Sequence, residues 1–258
     1  MTNGIIYITY GKKYVEAAIY SAKSARKHCP DINIHLFVDA PNFEHFQFEK
    51  ETFPFTSIEV IENPHRRSKV DCISKTPFDR TLYLDSDTTV AQDISEIFNV
   101  LDRFDIAAVQ AMHRNSKSGQ TYWTVRIPDA FPQLNGGVVL FRKTPQVLDL
   151  LENWSKAYAE SGLRHDQPTL RELLWFSDLR LYALPPEYNV RFLKYKFIWN
   201  KTEAVPMIYH LKQYHKGWGK WVIVRIFKGP ILATRFIIKL FLKLFRIKII
   251  RKDKIKRL

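Results

Sequence analysis

The chain has 258 residues, 46% hydrophobic and 26% charged, which is room for one large domain or two small ones around an ordinary soluble core. Two cysteines, Cys29 and Cys72, exclude a disulfide framework and lack metal-site spacing. The formal charge of +14 is unevenly spread: twelve Lys and Arg against one Asp fall within residues 222–258, so the body is nearly balanced and the tail carries the excess.

Residues 4–9 are an apolar run that suits an inner strand, and residues 1–11 show no charged n-region and no small-residue cleavage site. The expectation is a chain without a signal peptide, in a reducing cytoplasm. Val15, Ala18, Ile19, Ala22 and Ala25 recur at helical spacing within 14–28, and Pro30 lies just beyond. Strands are predicted at 32–38, closed by Asp39-Ala40-Pro41, and at 58–61. A short helix follows at 68–74 and a turn at 77–79. The next strand, 81–84, ends in Asp85-Ser86-Asp87. The β-α-β-β-α-β order predicts an α/β fold with a mostly parallel sheet.

Further on, a short helix is predicted at 94–101, a strand at 106–110 and a polar loop at 113–121. Residues 134–141 read as a turn feeding a strand, and 145–161 as a helix. His165-Asp166-Gln167-Pro168 opens another helix at 169–175. Short strands are expected at 179–184 and 207–210, the latter ending in His210, with a Pro-Pro corner before Tyr188-Asn189.

The chemistry concentrates at Asp85 and Asp87. Strand ends are where α/β sheets bind ligands, and two carboxylates one residue apart make an oxygen site suited to a hard divalent cation. A solvated turn with an Asx bend explains the same triplet. Asp166 before Pro168 suits a helix N-cap, Asn135-Gly136-Gly137 suits a plain turn, and Tyr14 suits a core position.

The order of four blocks resembles the GT-A glycosyltransferases, in particular retaining family 8, the group of lipooligosaccharide galactosyltransferases and glycogenin. They are Pro77-Phe-Asp-Arg-Thr-Leu-Tyr-Leu-Asp85-Ser-Asp87, Leu134-Asn135-Gly136-Gly137-Val138 against the family's Leu-Asn-(Ser/Ala)-Gly-Val, His165-Asp166-Gln167, and His210 with Lys216 and Trp218. The resemblance runs from about residue 5 to 218. It implies a GT-A domain over 1–220, with Asp85, Asp87 and His210 holding Mn²⁺ or Mg²⁺. It implies a nucleotide-sugar donor contacted by Thr9, Tyr10, Tyr14, Ser86, Asn135, Gly136 and Lys216. Lys69 is the basic residue expected to face that donor, with Arg66 and Arg67 as competitors. Asp166 and Gln167 are implied at the transferred sugar. The acceptor is a glycan or glycolipid, met by loops at 113–132 and 162–165. Two departures stand out: the first loop, 9–14, has no acid for the nucleotide base, and Gln213 and Gly217 replace a Gly and a Pro of the late block.

The tail is different. Arg235, Lys239, Lys243 and Arg246 line one helical face, while Ile237, Ile238, Phe241, Leu244, Phe245 and Ile249 cover much of the rest. This pattern predicts a basic amphipathic helix over 221–258 lying on an anionic membrane surface, so the protein is expected at the inner face of the cell membrane. Nucleic acid is not an expected partner, since the apolar residues would be left in water on a duplex. An oligomer-forming helix fits the same spacing. A sugar nucleotidyltransferase would carry a Gly-rich basic signature after the first strand, which Thr9-Tyr10-Gly11-Lys12-Lys13 matches poorly. A catalytically idle adaptor on the same fold is the third reading.

Overall fold

The structure, a computed structural model, describes residues 1–211 apart from 51, 193 and 201. The first half contains β1 (Asn3–Ile8), α1 (Lys12–His28), β2 (Asn33–Asp39), α2 (Ala40–His45), β3 (Ser57–Ile61), α3 (Ser68–Cys72), β4 (Arg80–Leu84), β5 (Thr88–Val90) and β6 (Ile106–Gln110). The second contains α4 (Lys117–Gln120), β7 (Leu134–Arg142), α5 (Pro145–Ser161), α6 (Gln167–Trp175), β8 (Leu181–Ala183), α7 (Tyr195–Ile198) and β9 (Ile208–His210). Among the described residues no helix is long and apolar enough to cross a membrane. The boundary at 220, the tail over 221–258 and Lys216 lie outside the described residues.

Seven strands form one sheet in the order β3-β2-β1-β4-β7-β6-β8. β3, β2, β1 and β4 run parallel, β7 runs antiparallel to both β4 and β6, and β8 is parallel to β6. The expected mostly parallel α/β sheet is therefore present, with β7 reversed. Fully buried strands look the same from either direction, so the reversal leaves no mark in the sequence.

Alternation along the strands sorts the core into two layers. Ile5, Tyr7, Leu82 and Leu84 face α1, where they meet Val15, Ala18 and Ala22. Ile6 and Tyr83 face the other way, toward Val147, Leu151 and Trp154 of α5 and Leu170 of α6. α5 has the bounds its residues dictate. The Thr144 hydroxyl accepts from the Val147 N–H, Pro145 occupies the first turn, and Gly162 takes a left-handed φ of +62° at the end.

Other expectations shift. The 94–101 helix is a 3-10 helix over Ser95–Asp102, and the 68–74 helix divides into α3 and a 3-10 turn at Ile73–Lys75. The 113–121 loop contains α4, capped by the Ser116 hydroxyl, which accepts from Gly119 N at 3.0 Å. The turn after β2 continues into α2.

The topology positions the site. From β1 the chain moves outward to β2 and β3, then returns to place β4 on the opposite side of β1. The carboxyl ends of β1 and β4 thus flank a topological switch point, the crevice where doubly wound sheets take ligands. Residues 9–11 leave one side of it and Asp85-Ser86-Asp87 the other.

Candidate active site at the carboxyl edge

The Asp85-Ser86-Asp87 turn is held from below. Asp85 N donates to Gly137 O at 2.8 Å, tying it to β7. The Thr88 hydroxyl donates to Asp85 O at 2.8 Å, and Thr88, Ser21 of α1 and Tyr7 of β1 form a buried hydroxyl chain at 2.8 and 2.9 Å. Asp85 is oriented by the buried Tyr83 phenol, which donates to Oδ1 at 2.6 Å. Burial and the nearby Asp85 charge keep that phenol well above its ordinary pKa, so it remains a donor.

His210 arrives through a two-stranded sheet that the sequence only half reveals. β9 pairs antiparallel with β5, which puts His210 opposite Thr88, and Leu211 N donates to Asp87 O at 3.2 Å. Nε2 of His210 lies 3.0 Å from Asp87 Oδ1 and 3.5 Å from Asp85 Oδ2. Ligand atoms of all three residues lie within 4.8 Å of one another. Two carboxylates and an imidazole so placed fit a divalent cation of the Mn²⁺ or Mg²⁺ kind. The fit extends to Gly137: a Cβ there would lie 2.2 Å from His210 Cε1 and 2.5 Å from Asp85 Oδ2, so only glycine lets these ligands rest on the β7 backbone.

Beside this cluster sits a buried ion pair. Asp166, 3% exposed at its side chain, meets Lys69 Nζ at 2.7 Å and Arg67 Nη1 at 3.4 Å. Burial alone would raise the Asp166 carboxyl, but Lys69 and Arg67 outweigh it and hold the group below the usual carboxylate range. Burial would likewise lower Lys69, but Asp166 and Asp85 outweigh it and raise the amine. Lys69 Nζ also donates to Gly136 O at 3.2 Å, joining the ion pair to Asn135-Gly136-Gly137, which is not the expected turn but the start of β7. Asp166 makes no side-chain cap on α6; its carboxylate is given to the two cations instead. Gln167, half-buried, is the first residue of α6.

The first loop completes the edge. Tyr10 and Tyr14 are 46% and 43% exposed, so Tyr14 is not a core residue. Thr9 is buried, its hydroxyl donating to Phe37 O at 3.0 Å. Gly11 takes φ +89° and its N–H donates at 3.1 Å to Asp39 Oδ1, whose other oxygen accepts from Asn42 at 2.6 Å. Asp39, buried at the end of β2, thus braces the loop through its backbone. Half-buried Ser86 lies between the two aspartates.

Two residues here were not found from the sequence. Asn189, 1% exposed, stands behind His210. Arg191 brings Nη1 to 3.2 Å from His210 Nε2. A lone Asn after a Pro-Pro corner and an Arg two residues on carry no spacing signal; both reach the site because the 189–191 segment is pinned to β9. Val190 N donates to Ile208 O at 2.9 Å and His210 N to Val190 O at 3.0 Å. Asn135, expected to face the donor, is buried with its Oδ1 turned inward.

Residues 26–221 match the family described as nucleotide-diphospho-sugar transferase, most of the chain. The chain belongs to that family. The resemblance to GT-A family 8 agrees in fold with this match. No curated protein matches it in sequence. Solved structures of similar fold include glycosyltransferase GlyE of Streptococcus pneumoniae in its apo form, at 18% identity and TM-score 0.56, covering 81% of this chain and 54% of that one. Galactosyltransferase LgtC in complex with donor and acceptor sugar analogues is similar at 16% identity and TM-score 0.60, covering 84% and 92%. Mouse xyloside xylosyltransferase 1 is similar at 13% identity and TM-score 0.55, covering 84% and 100%. The transferase spans about half the length of the GlyE chain.

Proposed function

We propose that the chain is a metal-dependent retaining hexosyltransferase. Its donor is a nucleotide-diphosphate hexose, UDP-galactose or UDP-glucose, and its acceptor a lipid-linked or cell-surface glycan. The observation that carries this reading is the convergence of Asp85, Asp87 and His210 next to the buried Asp166–Lys69 pair, at the switch point of the sheet. The galactosyltransferase with bound sugar analogues among the similar folds supports the hexose.

Mn²⁺ or Mg²⁺ held by Asp85, Asp87 and His210 would stabilise the charge that develops on the diphosphate leaving group. Arg191, beside His210, adds a fixed cation to the same diphosphate, and Lys216 is assigned there with it. Asp166 stays ionised and fixed by Lys69 and Arg67, so it accepts hydrogen bonds from sugar hydroxyls. Gln167 presents its amide at the anomeric carbon, where an oxocarbenium-like state needs a polar neighbour. Tyr10 and Tyr14 offer exposed rings to the base.

Calorimetric titration with nucleotide sugars, with and without Mn²⁺, tests the reading. Binding of one UDP-hexose that requires Mn²⁺, and that Asp87→Asn abolishes, is the expected result. Binding of that donor unchanged by Mn²⁺ or by Asp87→Asn overturns the metal assignment. No binding by any nucleotide sugar leaves the idle adaptor as the better reading.

A further inference from the structure

The buried amides behind His210 have a direction. The Gly137 N–H can only donate, and it meets a side-chain atom of Asn135 at 3.0 Å, so that atom is the oxygen, Oδ1. Asn189 approaches the same oxygen at 3.1 Å and must therefore present its NH₂. Its own Oδ1 is then turned to His210 Nδ1, 2.9 Å away. An amide oxygen only accepts, so Nδ1 carries the proton. Nε2, the nitrogen beside Asp85 and Asp87, is left as the one with a lone pair to give a cation, and the donor-only Arg191 Nη1 lies nearer to it, at 3.2 Å, than to Nδ1, at 3.4 Å. All three side chains are buried: His210 is 2% exposed, Asn189 1% and Asn135 8%. The register break in the β6–β7 ladder lies over this stretch, between the partners Val139 and Leu134. A chain off the regular ladder can turn an N–H to a side chain.

We propose that Asn135 and Asn189 are positioning residues for a divalent cation. They form a relay that starts at a backbone amide and sets both the tautomer and the aim of the His210 ring. The inference rests on the metal-dependent reading above and extends it to two buried residues that hold the ligand histidine from behind. Partners behind a ligand histidine act by fixing which nitrogen is free and where it points.

Two readouts test the relay. Proton–nitrogen correlation spectra of the metal-free protein report the His210 tautomer, and electron paramagnetic resonance of free Mn²⁺ reports affinity. The wild type is expected to show Nδ1–H. Asn189→Leu, with the same branching and no polar atoms, is expected to lose that signature and to weaken Mn²⁺ binding about 10- to 100-fold. Asn135→Asp keeps an acceptor for both donors and is expected to retain Nδ1–H and bind Mn²⁺ at least as tightly as the wild type. An Nε2–H tautomer in the wild type overturns the relay without need of a variant. Mn²⁺ binding by Asn189→Leu as tight as by the wild type overturns it too, and leaves the metal-dependent reading standing. Failure of the wild type to bind Mn²⁺ overturns that reading instead.

Discussion

The adjacent glycines of Asn135-Gly136-Gly137, at the start of β7, do different work. A Cβ at Gly136 would crowd the flexible end of Lys69, at 3.2 Å, with Trp154 and Asp166 at ordinary contact of 3.8 and 3.9 Å, whereas at Gly137 it would strike the His210 ring and the Asp85 carboxylate. Gly136→Ala is therefore expected to fold and bind Mn²⁺ normally. Gly137→Ala must push two ligands apart, and is expected to lose Mn²⁺ binding and about 1–3 kcal/mol of stability. Thermal melting and Mn²⁺ titration of the pair check this; equal behaviour would mean the cradle is not needed. The first position is where the resembling family admits Ser or Ala, so this contrast was legible in the sequence pattern. Asp85, Asp87 and His210 were legible for a similar reason: their residue types carry the chemistry themselves. Asn189 and Arg191 were not, because their roles come from what they touch. His35 was equally silent. It is buried with Ser57 Oγ on Nδ1 at 2.7 Å; among the described residues Nε2 has no hydrogen-bond partner, with the Glu59 carboxylate 4.0 Å away, and burial pushes its pKa down from 6.5 to about 4. The unfolded chain takes up this proton as pH falls through 6.5, while the folded chain resists until about 4. Stability is thus fully present above the unfolded value, falls with pH across that window, and levels off below it. The loss amounts to about 3 kcal/mol. His35→Gln is expected to flatten the slope of unfolding free energy between those pH values; a slope identical to that of the wild type would show the imidazole is not buried neutral.

Helix α6 couples two parts of the site. Its N-terminus carries Asp166 and Gln167, and the next turn holds the segment expected to meet the acceptor. Arg171, 6% exposed, donates to the carbonyls of Phe131, Pro128 and Ile127 at 2.7, 2.9 and 3.2 Å. Glu172, 5% exposed, accepts from the Thr124 and Val125 N–H groups at 2.9 and 3.1 Å and from the Thr124 hydroxyl. A charged residue at each of two consecutive buried positions breaks the apolar pattern of the helix, and the loop's backbone accounts for both. Glu172→Leu removes both acceptor oxygens from the two N–H groups and the hydroxyl, at a cost of about 1–3 kcal/mol. Amide hydrogen exchange is expected to quicken at 124–125, with Mn²⁺ affinity unchanged because no metal ligand is touched. Unchanged exchange there would mean the loop is held by other contacts. Long elements with their own punctuation, such as α5 between Thr144-Pro145 and Gly162, were legible to the residue. β5 was not: three residues give no period, and only the pairing with β9 makes a strand of them.

At the scale of the whole molecule, the fold explains why motifs more than a hundred residues apart meet. The switch between β1 and β4 brings the first loop and the Asp pair to one crevice, and the short β5–β9 sheet carries His210 back to it. The charge follows a separate logic. The body is nearly balanced, while residues 222–258 carry a net of +11 with bulky apolar residues between the cations. Nothing in the donor chemistry needs that excess. An acceptor anchored in an anionic membrane would need it, because each Lys or Arg near such a surface contributes about 1 kcal/mol. The full chain is therefore expected to co-sediment with vesicles containing phosphatidylglycerol and not with pure phosphatidylcholine, and to be released by salt as the Debye length shrinks. A chain ending at residue 220 is expected to lose vesicle binding while keeping Mn²⁺-dependent donor binding. Equal binding to neutral vesicles would assign the attachment to the apolar residues alone. Vesicle binding that survives the truncation would assign it to the body, and the acceptor would then have to be sought at a surface other than the tail.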